Sequence, residues 1–374
     1  MMSALPVLRR PRPGLLLSVV VTLTVPSLLT ILALTDTPLA ATAREDQSVR
    51  PVSTAQTALG LSLLGKSATA GLTASYQGVE LIAQRNVSGS DTIVSDVWHR
   101  AGLTVTQTSD AAMVAGGQPY VSYDSGNRSA EGVFGVTKTL VALLGEHYVV
   151  VYGGTGSAAG RPAIIVDLHR ANGSLAAQFW LDKKTMVPLQ REVYDTSAEL
   201  ISQDAFVQVQ FGALTAPPAS VAAVRAPAGS AWAAVTVPGQ LVMELNKQGW
   251  RLPTALPGDL PLYAATRSHG GSGQVVQLGY SDGLSVVSLF VQRGTLAPKP
   301  AGWQQSSLLG HQVYVAGHSI IWAASGFVYT MIADAPPRVV AQVVASLPRN
   351  ATPGIFGRIR HGLDRLGSLL NPFG

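Results

Sequence analysis

GLSLLGKS, Gly60 to Ser67, satisfies G-x-x-x-x-G-K-[ST], the loop whose amides cradle a nucleotide's phosphates while its lysine reaches them. Further along, AIIVD, Ala163 to Asp167, has the form of an acidic strand that holds magnesium. That chemistry requires a buried strand before the loop and a helix opening at the lysine. Here the residues before Gly60 are polar and Leu61 to Leu64 read as helix interior, so an ordinary helix carrying Lys66 is expected. YVVVYGGTGSAAG, Tyr148 to Gly160, is one residue too long for the dinucleotide fingerprint and is followed by another strand, so a glycine-rich hairpin loop is expected. Histidines 99, 147, 169, 269, 311, 318 and 361 form no HExxH or i, i+4 pair, and Ser268-His269-Gly270-Gly271 has no G-x-S-x-G elbow to serve. With no cysteine, thiolate catalysis and Cys-ligated zinc are excluded. The residues therefore predict no catalytic site, no metal site and no cofactor.

The formal charge of +5 suggests nucleic acid until it is located along the chain. Arg9, Arg10 and Arg12 with Asp36 precede residue 44, and Arg358, Arg360 and Arg365 with Asp364 follow residue 350, leaving a body of +1. A near-neutral body lacks the basic stripe that phosphate backbones require, so no nucleic-acid partner is expected.

The N-terminal arginines stand before an apolar run, Gly14 to Leu34, and a PLAATA segment whose Ala41 and Ala43 fit a small-x-small cleavage site. Residues 1–43 read as a cleaved signal peptide or as an uncleaved membrane anchor, and either places the body outside the cytoplasm. From Val52 to Ala70 the apolar positions Ala55, Leu59, Leu63 and Ala70 recur at helical steps. The period then becomes two: Leu103 and Val105 alternate with threonines, and Val207, Val209 and Phe211 with glutamines. Turns are expected at Asn172-Gly173, in DKKTMVP and at Ser281-Asp282-Gly283. An Ala/Pro-rich linker at 215–240 divides a domain over 50–214 from one over 241–350. The second continues through HQVYVAG, SIIWAAS and FVYTMIA into a helix with Asp334 as its cap and Val339, Val340, Val343, Val344 and Leu347 as its apolar face. In the tail, 351–374, an Ile355, Ile359, Leu363, Leu366, Leu370 stripe backed by arginines reads as a basic amphipathic helix that lies on a membrane, packs on its own domain or frays.

Several stretches in this order resemble the RseB/MucB family of envelope-stress regulators. They are ALGLSLLGKSATAGLTASYQGVELIA with Ser75-Tyr76-x-Gly78, FWLDKKTMVPLQREVYDTSAELISQDAFVQVQF, GYSDGLSVVSLFV, and HQVYVAGH with the closing helix, spanning residues 53 to 348. The resemblance implies an α+β fold: a LolA-like curved antiparallel half-barrel with capping helices, linked to a smaller α+β domain. It also implies a non-enzymatic extracytoplasmic regulator that binds the extracytoplasmic segment of a membrane anti-sigma factor and senses a lipid-like or lipidated ligand. A lipid or lipoprotein carrier with the same cavity is the alternative. The long N-terminal segment and the basic tail depart from the family pattern. Successive large residues at Phe179, Trp180 and Leu181 require cover on both faces of one strand. With Val207 and Val209 they are the expected lining of a ligand cavity, with a solid core as the competing arrangement.

Overall fold

The computed structural model describes residues 54–100, 103–108, 120–124, 134, 136–212, 233–234, 237–270, 273–296, 303–316 and 319–349. The expectations for residues 1–43, for most of the linker and for the tail fall outside these.

Helix α1, Thr54–Thr73, buries Gly60, Leu63, Leu64, Ser67, Ala68 and Gly71. The steps of three and four make one stripe, and its small residues let the helix approach closely. A Cβ on Gly60 would lie 2.8 Å from the Val150 carbonyl oxygen, so the glycine itself sets that approach. Leu59, expected on the stripe, is instead exposed. GLSLLGKS lies wholly within α1, with Lys66 exposed, and is neither a loop nor preceded by a strand. Helix α2, Lys138–His147, begins where the Thr137 hydroxyl accepts the Leu140 amide at 3.1 Å, and it packs beside α1.

The first sheet has nine antiparallel strands: β1 Tyr76–Asn86, β2 Gly89–Arg100, β3 Leu103–Thr108, β4 Tyr120–Asp124, β5 Val149–Ala158, β6 Arg161–His169, β7 Leu175–Asp182, β8 Pro188–Tyr194 and β9 Leu200–Phe211. Their order is β4-β3-β2-β1-β9-β8-β7-β6-β5, two meanders joined where β9 pairs with β1. Among the described residues β4 and β5 are the edges, and the sheet is open. The Asn172-Gly173 turn is longer than the expected two-residue connection: the Arg170 amide donates to Ser174 O, and Asn172 Oδ1 accepts the Ser174 amide. Gly153 to Gly156, expected in a hairpin loop, belong to β5 instead. A bulge between Tyr152 and Gly154 absorbs the extra residue, pairing resumes as far as Ala158 opposite Arg161, and the turn is at Ala159-Gly160.

The second sheet comprises β10 Ala233–Ala234, β11 Ala255–Leu256, β12 Leu260–Gly270, β13 Gly273–Ser281, β14 Val286–Arg293, β15 Gln304–Leu308, β16 His311–Ala316, β17 Ser319–Ala324 and β18 Phe327–Asp334. The order is β10-β12-β13-β14-β18-β17-β16-β15, with β11 on β12. Helices α3, Pro238–Lys247, and α4, Pro337–Ser346, contribute Leu241, Val242, Leu245, Val340, Val343 and Val344 to its core, around Leu278, Leu289, Trp322, Tyr329 and Met331. The apolar face expected for α4 is the one buried, but Asp334 does not cap it. Pro336 stands at the N-cap, and the Asp334 carboxylate turns to Arg191 of the first sheet. The fold is α+β with two open antiparallel sheets and few helices. Among the described residues no helix is long and apolar enough to cross a membrane.

Candidate functional site

Phe179 and Leu181 are 1% and 0% exposed and pack with Leu63, Leu64, Val166 and Leu168, in the layer between β7 and α1. Trp180 turns to the other side of β7, paired with Ile165 and half-buried. Val207 is 60% exposed. It breaks the expected alternation because Val79 pairs with Gln208 and Glu80 with Phe206, which leaves Val207 as the extra residue of a bulge. Trp180 and Val209 both pack against a second buried cluster that holds Tyr76, Val97, Phe134, Leu189 and Phe206, and Val209 also borders an open space. The five are not brought together.

That space is a cleft of about 340 Å³ across β1, β2 and β9, bordered by Gln77, Val79, Asp96, Trp98, Gln208 and Val209 among others. It forms beside the bulge, where a Cβ on Gly78 would lie 2.3 Å from the Gln208 carbonyl oxygen. Only glycine fits so close an approach of β1 to β9. The lining mixes one indole and three valines with primary amides and one carboxylate, groups that bind by hydrogen bonding and contact.

The same three strands bury a polar layer on their other face. His99 stacks on Tyr76 with ring centroids 4.7 Å apart, and burial holds its imidazole below the usual range and therefore neutral near pH 7. Glu80, opposite Ser95 and Phe206, is pushed up to about 8 by burial and by the neighbouring Asp204 charge. Asp204 is itself raised to about 6 by burial, against the attraction of Arg191. Arg191 Nε lies 3.1 Å from Asp204 Oδ2, Nη1 donates to the Phe134 carbonyl at 3.2 Å, and Nη2 reaches Asp334 at the end of β18. One guanidinium thus joins the two sheets.

A second junction lies at the β13–β14 turn. Tyr148 donates to Asp282 Oδ2 at 2.6 Å, and Asp282 Oδ1 accepts the Leu284 and Ser285 amides. Leu284 is 4% exposed and belongs to the core of the first sheet, while Gly283 rests on α2 so closely that a Cβ would lie 2.5 Å from the Leu144 nitrogen. The turn was legible in sequence, but its insertion was not. The charges gathered at Arg191 left only a faint signal: Glu80, Asp204 and Arg191 occupy inward positions in a chain with just 13% charged residues.

Residues 107–228 match the family described as MucB/RseB N-terminal domain. The MucB/RseB match begins within β3, takes in α2 and β5 through β9, and therefore includes Arg191, Asp204 and Tyr148. Among solved structures, MucB is 22% identical and covers 78% of this chain and 97% of its own, with a TM-score of 0.48. The MucA/MucB complex of Pseudomonas aeruginosa gives 19%, 78%, 99% and 0.41 in the same terms. A LolA superfamily protein from Nitrosomonas europaea gives 10%, 74%, 91% and 0.18. No curated protein matches the chain.

Proposed function

We propose that this protein is a non-enzymatic extracytoplasmic regulator that binds the extracytoplasmic segment of a membrane anti-sigma factor and responds to a lipid-like ligand. The observation that carries the reading is the MucB/RseB match over 107–228, the segment whose strands hold the buried junctions to the second sheet. A chain whose two sheets are joined through Arg191 and the Asp282 turn is built to pass a change in one sheet to the other, as a regulator must. The cleft at Val79, Trp98 and Val209 supports the ligand part of this reading, because a lipid head group would find amides there and an acyl chain the indole and valines.

The test is protection. The purified anti-sigma segment from the same organism is digested by a site protease with and without this chain, and then with phospholipid vesicles added. Protection that the vesicles relieve supports the reading. A segment cut equally fast in all three mixtures overturns it. Transfer of labelled phospholipid between vesicles without any protection makes the chain a carrier instead.

A further inference from the structure

β5 pairs with β6 on one side, and among the described residues no strand pairs with the other. Helix α1 covers its first half, where Gly60 rests on the Val150–Val151 peptide. Beyond that the strand reads Tyr-Gly-Gly-Thr-Gly-Ser, Tyr152 to Ser157, with Tyr152 43% exposed and Thr155, Gly156 and Ser157 also exposed. Open edges are ordinarily blunted by lysine, by proline or by a covering element, since an unpaired row of N–H and C=O groups is a template for another strand. Val149 to Ala158 holds neither a charge nor a proline, and its bulge does not end the strand.

We propose that the Gly153–Ser157 edge is a docking site for an extended peptide, which adds antiparallel or parallel to β5 as a tenth strand. This rests on the partner-binding reading above and names the surface it uses. The backbone of β5 supplies affinity, and the missing side chains supply selectivity. A Cβ on Gly153 would lie 2.5 Å from Asp167 Oδ2, so the glycine leaves that carboxylate open beside the edge. Asp167 is oriented by Gln178, whose amide donates to Oδ1 at 2.7 Å. Gly156 similarly leaves Ile165 and the Trp180 indole within reach, 3.1 and 3.8 Å from where its Cβ would be. The occupant is therefore an extended segment that presents a lysine or arginine to Asp167 and a large apolar side chain to Trp180. Trp180 is half-buried against the cluster of Ala163, Val187 and Leu189, and its indole nitrogen is the part nearest the edge.

Consecutive residues of an antiparallel edge direct their amides alternately to the neighbour and outward. Of Thr155→Pro and Gly156→Pro, one removes an outward donor and the other breaks the ladder to β6. With the anti-sigma segment as probe, the variant that keeps the wild-type Tm loses at least tenfold in affinity, and Asp167→Asn weakens binding and flattens its salt dependence. Hydrogen exchange on the wild-type complex slows amides between Thr155 and Ser157, a readout that survives even if both proline variants unfold. Wild-type affinity in a folded proline variant, or an edge unprotected in the complex, overturns the docking site alone. A segment that does not bind the wild-type chain removes both the site and the reading beneath it. A wild-type dimer in sedimentation that either proline variant abolishes, with the probe still bound, assigns the edge to a second copy and overturns the peptide.

Discussion

Replacing Arg191 with Met removes the charge that joins the two sheets, and the cost follows from three contacts. The Arg191 and Asp204 side chains are 5% and 11% exposed, so deleting the cation leaves an uncompensated carboxylate in the interior, a loss of about 3–5 kcal/mol. Asp334 is 41% exposed and water replaces its partner, so that half of the bridge contributes about 0–1 kcal/mol. The Phe134 carbonyl loses a donor, about 1–3 kcal/mol if nothing takes its place. The carboxylate has one escape, which is to take up a proton. Asp204 already titrates near 6 with Arg191 present, raised by burial, and without Arg191 it rises further. A carboxyl raised in the folded state contributes stability that is present at low pH and is lost as pH climbs through its folded value. The carboxylate's part of the R191M loss is therefore largest at pH 8, about 3–5 kcal/mol, and shrinks to about 1–2 kcal/mol at pH 5.5. Urea melts of wild type, R191M, D204N and the double variant at both pH values measure this, and the double variant recovers most of the loss at pH 8. A single-variant loss below about 1 kcal/mol, or one independent of pH, would falsify the account of the junction.

Glu80→Gln removes a carboxyl raised by burial and by Asp204 to about 8 from an ordinary 4.5, so it stabilises the protein by about 1–2 kcal/mol at pH 8.5 and leaves it unchanged near pH 4; equal urea midpoints across that range contradict it. Gly283→Ala places a methyl against the Leu144 nitrogen and the Leu140 carbonyl oxygen at a φ of +93°, and it costs about 2–4 kcal/mol in the same assay. Near-neutral behaviour there would mean that the turn does not seat on α2. Phe179→Ala and Leu181→Ala each lose about 2–5 kcal/mol, because both side chains fill a closed core against α1; a small loss accompanied by a fall in bound hydrophobic dye would restore them to a cavity.

The elements were legible where a local period governs them. The helical state of α1, the hairpin turns and the apolar face of α4 follow from residues three, four or two apart, whereas the stripe that α1 buries shares only Leu63 with the expected Ala55, Leu59, Leu63 and Ala70. Gly153 to Gly156 were misread because glycine usually marks turns, whereas a bulge lets an antiparallel strand continue through them. Asp334 has the composition of a cap, but a guanidinium 143 positions earlier claims its carboxylate, and no local pattern encodes that pairing. Val207 fitted the alternation of β9 until the bulge opposite Val79 and Glu80 moved it outward. The five residues expected to line a cavity lie in different layers for a related reason. Three successive large side chains on β7 must point to both faces, and nothing in the sequence of β7 itself says that α1 packs on the side of Phe179 and Leu181.

Calorimetric titration of the anti-sigma factor's purified extracytoplasmic segment into this chain tests the central claim most directly. The account predicts saturable one-to-one binding with a negative heat-capacity change, weakened when phospholipid vesicles are present. Absence of binding heat and of complex on gel filtration, at concentrations where the chain nevertheless carries extractable lipid, would contradict the regulator and leave the carrier.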